Sequence, residues 1–395
     1  MKLIFVNPYS HHSYFSVLAL SRIDNVEVLC PPLILELLLN RWKPNGLRIH
    51  NSGFVHGFPK WLAFMSFLAR KSGLISDKVY LQCFLFSAKL FLNGSKNHCV
   101  YSYQDYILPL MLNSSASQKF IVEFIIQIPP DQPNCKPSIE AAHIALGTLA
   151  PTNIIINELG IYGFNADLAP YGGDKSAYRP KALENQSMNS FKVFKQQKQP
   201  NKQASCSNFL IVARSNSFRK GLDILLEALE GLNQDFPVSD WACCEVVICG
   251  NISDPLLAER VSTLSKSFKS TDKIKIKAGQ LEQDSYLNLL EAAKIFLMPS
   301  RLEGTSYAAL EALWQGVPSI LSPACGVEMF RPGFHGELLE PNTSSSLLKI
   351  LQRCISFPER LEFFRSSLYH DRHFFTWNRY LEAVSYSVQN KLMSS

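Results

Sequence analysis

Short apolar runs of strand length recur along this chain, and the firmest is Ile295–Met298. Pro299, Ser300 and Gly304 break that run before strong helix formers from Tyr307 to Gln315. Gly316 and Pro318 then end the helix, and Ser319–Leu321 opens another buried run. The order is strand, loop, helix, strand, which is the βαβ crossover of a parallel sheet covered by helices. The same patterning predicts strands at Leu3–Val6, Val26–Leu29, Cys99–Ser102 and Phe120–Ile126. Further strands are expected at Phe209–Ala213, Glu245–Cys249 and Ile274–Lys277, with helices over Leu222–Leu232 and Gln283–Ala293.

A helix that begins at the carboxyl end of a strand leaves its first backbone N–H groups unpaired, so Thr305 and Ser306 are expected to form an anion site. Glu303 stands in the loop before this helix and Glu311 within it, a spacing of E-x7-E. At about 1.5 Å per residue the two carboxylates lie roughly 10 to 12 Å apart along the axis, the reach from the sugar to the ribose of a nucleotide sugar. Taken alone, the pair reads as a helix-start acid favoured by the dipole and a solvated helix residue, and it is the surroundings that point to a site. Upstream, Arg214 and Lys220 flank the turn after Phe209–Ala213, in the pattern R-x5-K-G, where both cations can reach a phosphate.

With 395 residues the chain is long enough for two separate cores, and 47% hydrophobic against 18% charged residues describes an ordered globular protein. The net charge of +6 does not by itself indicate nucleic acid, and no nucleic-acid motif accompanies it. Its distribution is uneven: between Arg41 and Lys96 there are nine lysines and arginines against the single acid Asp77, interleaved with aromatics such as Trp42, Phe58 and Trp61. That mixture suits a surface lying on an anionic bilayer, or two amphipathic core helices with solvated basic faces. The ten cysteines are scattered with no C-x-x-C, as in a reduced cytosolic protein. The N-terminus is expected to be a first strand and not a signal peptide, and no apolar run reaches the length of a membrane span.

The loop carboxylate, E-x7-E, the preceding Pro299-Ser300-Arg301 and the following A-L-x-x-G-x-P at Ala312–Pro318 together resemble the signature of the glycosyltransferase group 1 class. These are retaining enzymes of the GT-B fold. The resemblance covers nearly all of the second half and the first half loosely. It implies an α/β architecture of two Rossmann-like, doubly wound domains facing a central cleft. The boundaries expected are an acceptor-side domain over 1–183, a polar linker over 184–207, a donor-binding domain over 208–370, and a terminal helix over 371–395 anchored by Trp377 and packed back on the first domain.

For the site, the resemblance implies that Arg214 and Lys220 bind the donor diphosphate, with Arg219 sharing the role of Lys220, since the spacing is one residue longer than usual. Glu303 would hold sugar hydroxyls and Glu311 the ribose. Gly304, Thr305 and Ser306 supply the helix start, Gly279, Gln280 and Leu281 the base loop, and Gly326 and Glu328 the distal phosphate region, where Cys325 replaces a usual glycine. On the acceptor side, Asn7, Tyr9, Ser10 and His11 follow the first strand without the usual glycine pair. The usual sugar-contacting histidine is missing, and Glu123 and Gln127 are the nearest polar candidates. The turn Pro170–Asp174 matches P-x-G-x-D, with Gly172 and Gly173 expected at positive φ.

The function implied is transfer of a sugar from a nucleotide-diphosphate sugar to a carbohydrate or lipid-linked acceptor, without a metal or other cofactor, in surface polysaccharide or glycolipid synthesis. The expected location is the cytoplasm, peripheral to the inner face of the membrane. The rival readings are a non-catalytic nucleotide-sugar-binding or scaffold protein, and a hydrolase or phosphorylase of the same fold.

Overall fold

The computed structural model describes residues 2–6, 26–29, 69, 72–76, 79, 98–103, 119–124, 139–140, 142–143, 145–174, 208–236, 243–269, 273–281 and 283–393. The chain divides into two compact units. One comprises 1–170, 175–181 and 377–395, and the other 171–174 and 182–376.

The first unit is built on a parallel sheet of β1 (Lys2–Val6), β2 (Val26–Leu29), β3 (His98–Tyr103), β4 (Lys119–Glu123), β5 (Gly147–Ala150) and β6 (Ala166–Leu168), in the order β2-β1-β3-β4-β5-β6. Helix α1 (Asn153–Ile161) joins β5 to β6, and Thr152 caps it by accepting the Ile155 N–H. A doubly wound sheet needs strands apolar on both faces, and Phe120, Ile121 and Val122 are fully buried accordingly. The apolar run that predicts a strand to Ile126 yields one ending at Glu123.

The second unit contains β7 (Phe209–Ala213), β8 (Cys244–Cys249), β9 (Ile274–Gly279), β10 (Ile295–Met298), β11 (Ser319–Leu321) and β12 (Gly336–Leu338). All pair in parallel, in the order β12-β11-β10-β7-β8-β9. The strand order reverses between β7 and β10, and the crevice outside their carboxyl ends is where doubly wound sheets bind ligands. Around this sheet lie α2 (Leu222–Gln234), α3 (Pro255–Phe268), α4 (Gln283–Ala292), α5 (Tyr307–Trp314), α6 (Ser344–Ser356) and α7 (Pro358–Asp371). Leu225, Leu229, Ile211, Leu297 and Leu351 belong to one continuous core, so burial fixes how α2 and α6 lie on the strands.

The C-terminal helix α8 (Trp377–Met393) belongs to the first unit. Trp377 is buried, and Tyr380 Oη lies 2.9 and 3.0 Å from the two carboxylate oxygens of Glu123. Tyr101 Oη donates to the same carboxylate. Among the described residues no helix is long and apolar enough to cross a membrane.

Candidate functional site

The site is assembled at the carboxyl ends of β7 and β10. Ladder bonding carries one step past β7, where the Arg214 N–H donates to Leu297 O at 3.2 Å. The turn that follows is closed by Ser215 Oγ donating to Lys220 O at 2.7 Å. Gly221 then starts α2 in the left-handed region, at φ 69°. A Cβ at that position would overlap the carbonyl oxygen of Pro299, so the turn requires glycine for its dihedral and for its close approach to the β10 loop.

The β10–α5 loop is held from several sides. Asn342 Nδ2 donates to Pro299 O and Ser300 O at 3.2 and 3.0 Å, and Ser322 Oγ donates to Ser300 O at 2.6 Å. Arg301 makes a bidentate pair with Asp223, at 2.8 and 2.6 Å, and lies 4.0 Å over the Phe218 ring. Burial works to raise the Asp223 pKa, but the hydrogen bonds and charge of Arg301 outweigh it and hold the carboxyl below its ordinary range. Arg301 therefore ties the loop after β10 to the first turn of α2.

These constraints shape a cavity of about 300 Å3, lined by Arg214, Lys220, Cys249, Leu281, Tyr286, Met298, Glu303, Thr305, Ser306, Tyr307, Ala308 and Glu311. Glu303 Oε1 lies 3.2 Å from Arg219 Nη1 and 3.6 Å from Lys220 Nζ, and it accepts from Ser300 Oγ at 3.4 Å. Burial pushes the Lys220 pKa below the usual lysine value. The Glu303 charge opposes the shift, while Arg214 and Arg219 add to it. Burial also pushes the Cys249 thiol up to about 11, which keeps it protonated at neutral pH.

Of the residues singled out from the sequence, the cavity brings together Arg214, Lys220, Glu303, Thr305, Ser306, Glu311 and Leu281. Gly279, Gln280, Gly304, Gly326 and Glu328 are not among its lining residues. Gly279 is the last residue of β9, and its carbonyl accepts from the Gly250 N–H at 2.9 Å. Asn7, Tyr9, Ser10, His11 and Gln127 lie outside the described residues, as do the 184–207 stretch and nearly all of the basic, aromatic segment from Arg41 to Lys96.

Several expectations are corrected. The Ser306 N–H is not free for an anion, because it donates to Cys325 O at 2.9 Å, while Ser306 Oγ caps α5 by accepting the Ala309 N–H at 3.2 Å. The Gly326 N–H is turned to Pro323 O at 3.4 Å, so it supports the local turn. Cys325, at a usual glycine position, is buried with its Sγ against Met298 O at 3.2 Å, and it braces the loop from below. Gly173 does not adopt a positive φ; a Cβ there would overlap the Leu310 carbonyl, so close approach to α5 is what demands glycine. Glu123 is fully buried and engaged by Tyr101 and Tyr380, a structural tie to α8 instead of a ligand group.

Sequence reasoning passed over Cys249, Tyr286, Met298, Tyr307 and Ala308 as cavity residues. A signal was present for Cys249 and Met298, each the last residue of a strand whose end faces the crevice. Tyr171, within the Pro170–Asp174 turn, stacks on Tyr307 at 5.3 Å and sets that wall.

Full-length likeness to solved structures defines the class: an α/β protein of the GT-B fold with parallel sheets. HepE of Anabaena, solved in complex with UDP, superposes with a TM-score of 0.63 at 15% identity, over 100% of both chains. Sucrose-phosphate synthase from Thermosynechococcus elongatus gives 0.64 at 15% identity, also over 100% of both. The α,α-trehalose 6-phosphate synthase from Burkholderia multivorans gives 0.64 at 12% identity, over 100% of this chain and 98% of that one. No curated protein matches the chain in sequence. Within this fold, residues 193–367 match the family described as glycosyl transferases group 1, and the chain carries a glycosyltransferase domain of that family.

Proposed function

We propose that this chain is a retaining glycosyltransferase that moves a sugar from a nucleoside-diphosphate sugar to an acceptor hydroxyl. The observation that carries the reading is the convergence of Arg214, Lys220 and Glu303 on one cavity at the switch point of a group 1 domain. As the bond from the sugar C1 to the diphosphate breaks, negative charge grows on the leaving oxygens, and fixed cations in a water-poor cavity stabilise it. Arg214 and Lys220 fill that role, with Arg219 reinforcing them through Glu303. Among the described residues the polar contacts of the Glu303 carboxylate fall on Oε1. Its second oxygen is therefore suited to a sugar hydroxyl. The buried Thr305 Oγ1, unpartnered among the described residues, adds a donor at the start of α5.

The test is release of nucleoside diphosphate from UDP-, GDP- and ADP-hexoses in the presence of acceptor sugars and glycolipids, with the anomeric configuration of the product read by NMR. Acceptor-dependent release with retention supports the reading, and an inverted product contradicts it. Activity that survives exhaustive chelation is expected, because protein cations occupy the place of a metal.

Glu123 favours a second reading. The resembled class places a sugar-contacting histidine at the end of this strand, and here the nearest described polar side chain is committed to Tyr101 and Tyr380. A non-catalytic nucleotide-sugar-binding protein would lack such a group, and it would show tight donor binding with no turnover of any acceptor.

A role in surface polysaccharide or glycolipid synthesis, on the inner face of a membrane, is supported by the basic and aromatic composition between Arg41 and Lys96. Sedimentation with anionic but not neutral vesicles is expected, and equal recovery with both would count against it.

A further inference from the structure

Tyr286 belongs to none of the motifs discussed above, yet it lines the cavity from α4, and its hydroxyl is buried with no hydrogen-bond partner among the described residues. A native fold seldom leaves a buried hydroxyl unpaired, and one kept beside a cavity points to a partner that arrives with a ligand. Its surroundings say what kind of ligand. The Arg214 guanidinium stands 6.0 Å from the centre of the Tyr286 ring, and Glu311 lines the same cavity. Burial, with the Glu311 charge adding to it, raises the Tyr286 pKa well above the ordinary value, so the phenol carries its proton.

A carboxylate is an acceptor only. Held by a carboxylate alone, a vicinal diol uses its two hydrogens and leaves the lone pairs on its oxygens unfilled. A phenol O–H in the wall of the same cavity supplies the missing donor, and a cation nearby accounts for the phosphate to which such a diol is attached. We infer that Tyr286 is a specificity-determining residue for the nucleoside part of the donor: its O–H donates to an oxygen of the ribose diol whose hydrogens are taken by Glu311. This rests on the nucleotide-sugar reading above and adds to it the preference of the site for ribonucleotides over deoxyribonucleotides.

The test is Tyr286→Phe, which removes one oxygen and keeps the ring. Calorimetric titration of the wild-type chain with UDP, GDP and ADP identifies the tightest nucleotide, which is then compared with its 2′-deoxy and 3′-deoxy forms in both proteins. The substitution should weaken the ribonucleotide about five- to tenfold. It should leave one of the deoxy forms unchanged, since that form lacks the oxygen Tyr286 addresses. The ligand-free variant should melt at the same temperature or higher, because a buried unpaired hydroxyl has been removed. Equal affinities for the ribonucleotide in both proteins, equal weakening of all three nucleotides, or a lower melting temperature without ligand would each overturn the inference. If the wild-type chain binds none of the three diphosphates, the nucleotide-sugar reading fails and takes this inference with it. Binding that is indifferent to Tyr286→Phe removes the inference alone.

Discussion

Lys220 Nζ lies 3.6 Å from Glu303 Oε1, so one of the two cations proposed to grip the leaving group is held by the carboxylate proposed to hold the sugar. Each half of the pair preorganises the other before any substrate enters. Lys220→Ala and Glu303→Ala should each lower kcat by about 100- to 1000-fold, the effect of removing one fixed group that stabilises transition-state charge. Circular dichroism melts should remain cooperative in both, because neither side chain belongs to the core. Wild-type turnover in either variant contradicts the assignment.

The same pair sets a pH dependence. Burial lowers the Lys220 pKa, with Arg214 and Arg219 acting in the same direction and Glu303 opposing them. The charged form is the one that neutralises phosphate, and it is lost as pH rises through a pKa below that of an ordinary lysine. The basic limb of the kcat/KM profile should therefore fall below pH 10.5, the unshifted lysine value. Lys220→Arg keeps a charge across the whole range, and whatever activity it retains should lose that limb. An unchanged limb in this variant would assign it to another group.

Gly221 links stability to the site. Gly221→Ala meets both a positive φ and the Pro299 carbonyl, and should lower unfolding free energy by about 1 to 3 kcal/mol, measured by urea titration. Because the Pro299 loop carries Glu303, the variant should also lose donor affinity. A variant as stable as wild type would show that the loops separate without cost.

Arg301 positions the site without lining it. Removal of its bidentate pair with Asp223 frees the β10 loop from α2, so Arg301→Ala should reduce kcat/KM by roughly 10- to 100-fold. Stability should change by only about 1 kcal/mol, since the pair is partly exposed. Arg301→Lys should rescue little, as an ammonium cannot reproduce the planar fork. Full rescue by lysine would reduce the role to charge alone.

Local pattern made the second unit readable. The bounds of β7, β10 and β11 agree with the sequence runs, because a strand buried on both faces is predominantly apolar and each run stops at a polar residue or proline, Arg214, Pro299 and Ser322. The R-x5-K-G pattern likewise marks the turn at Gly221, while the left-handed φ and the approach to Pro299 are seen in the structure alone. What escaped the sequence depends on distant partners. Glu123 reads as a polar group at a strand end until Tyr101 and Tyr380 meet it, the latter 257 residues away. Ser306 reads as an open helix start until Cys325 O takes its N–H. Tyr286 has no local signature at all, since a tyrosine on an amphipathic helix is ordinarily core, and only its place in the cavity wall with a buried, unpartnered hydroxyl sets it apart.

The central claim is that Arg214 and Lys220 grip a diphosphate in this cavity. Calorimetric titration of UDP, GDP and ADP into the wild-type chain and into the Arg214→Ala, Lys220→Ala double variant tests it most directly. At least one diphosphate should bind the wild type, and the double variant should lose about 100-fold or more in affinity, as expected when two charge-assisted contacts disappear. Equal affinity in the two proteins, or no binding of any diphosphate to the wild type, would contradict it.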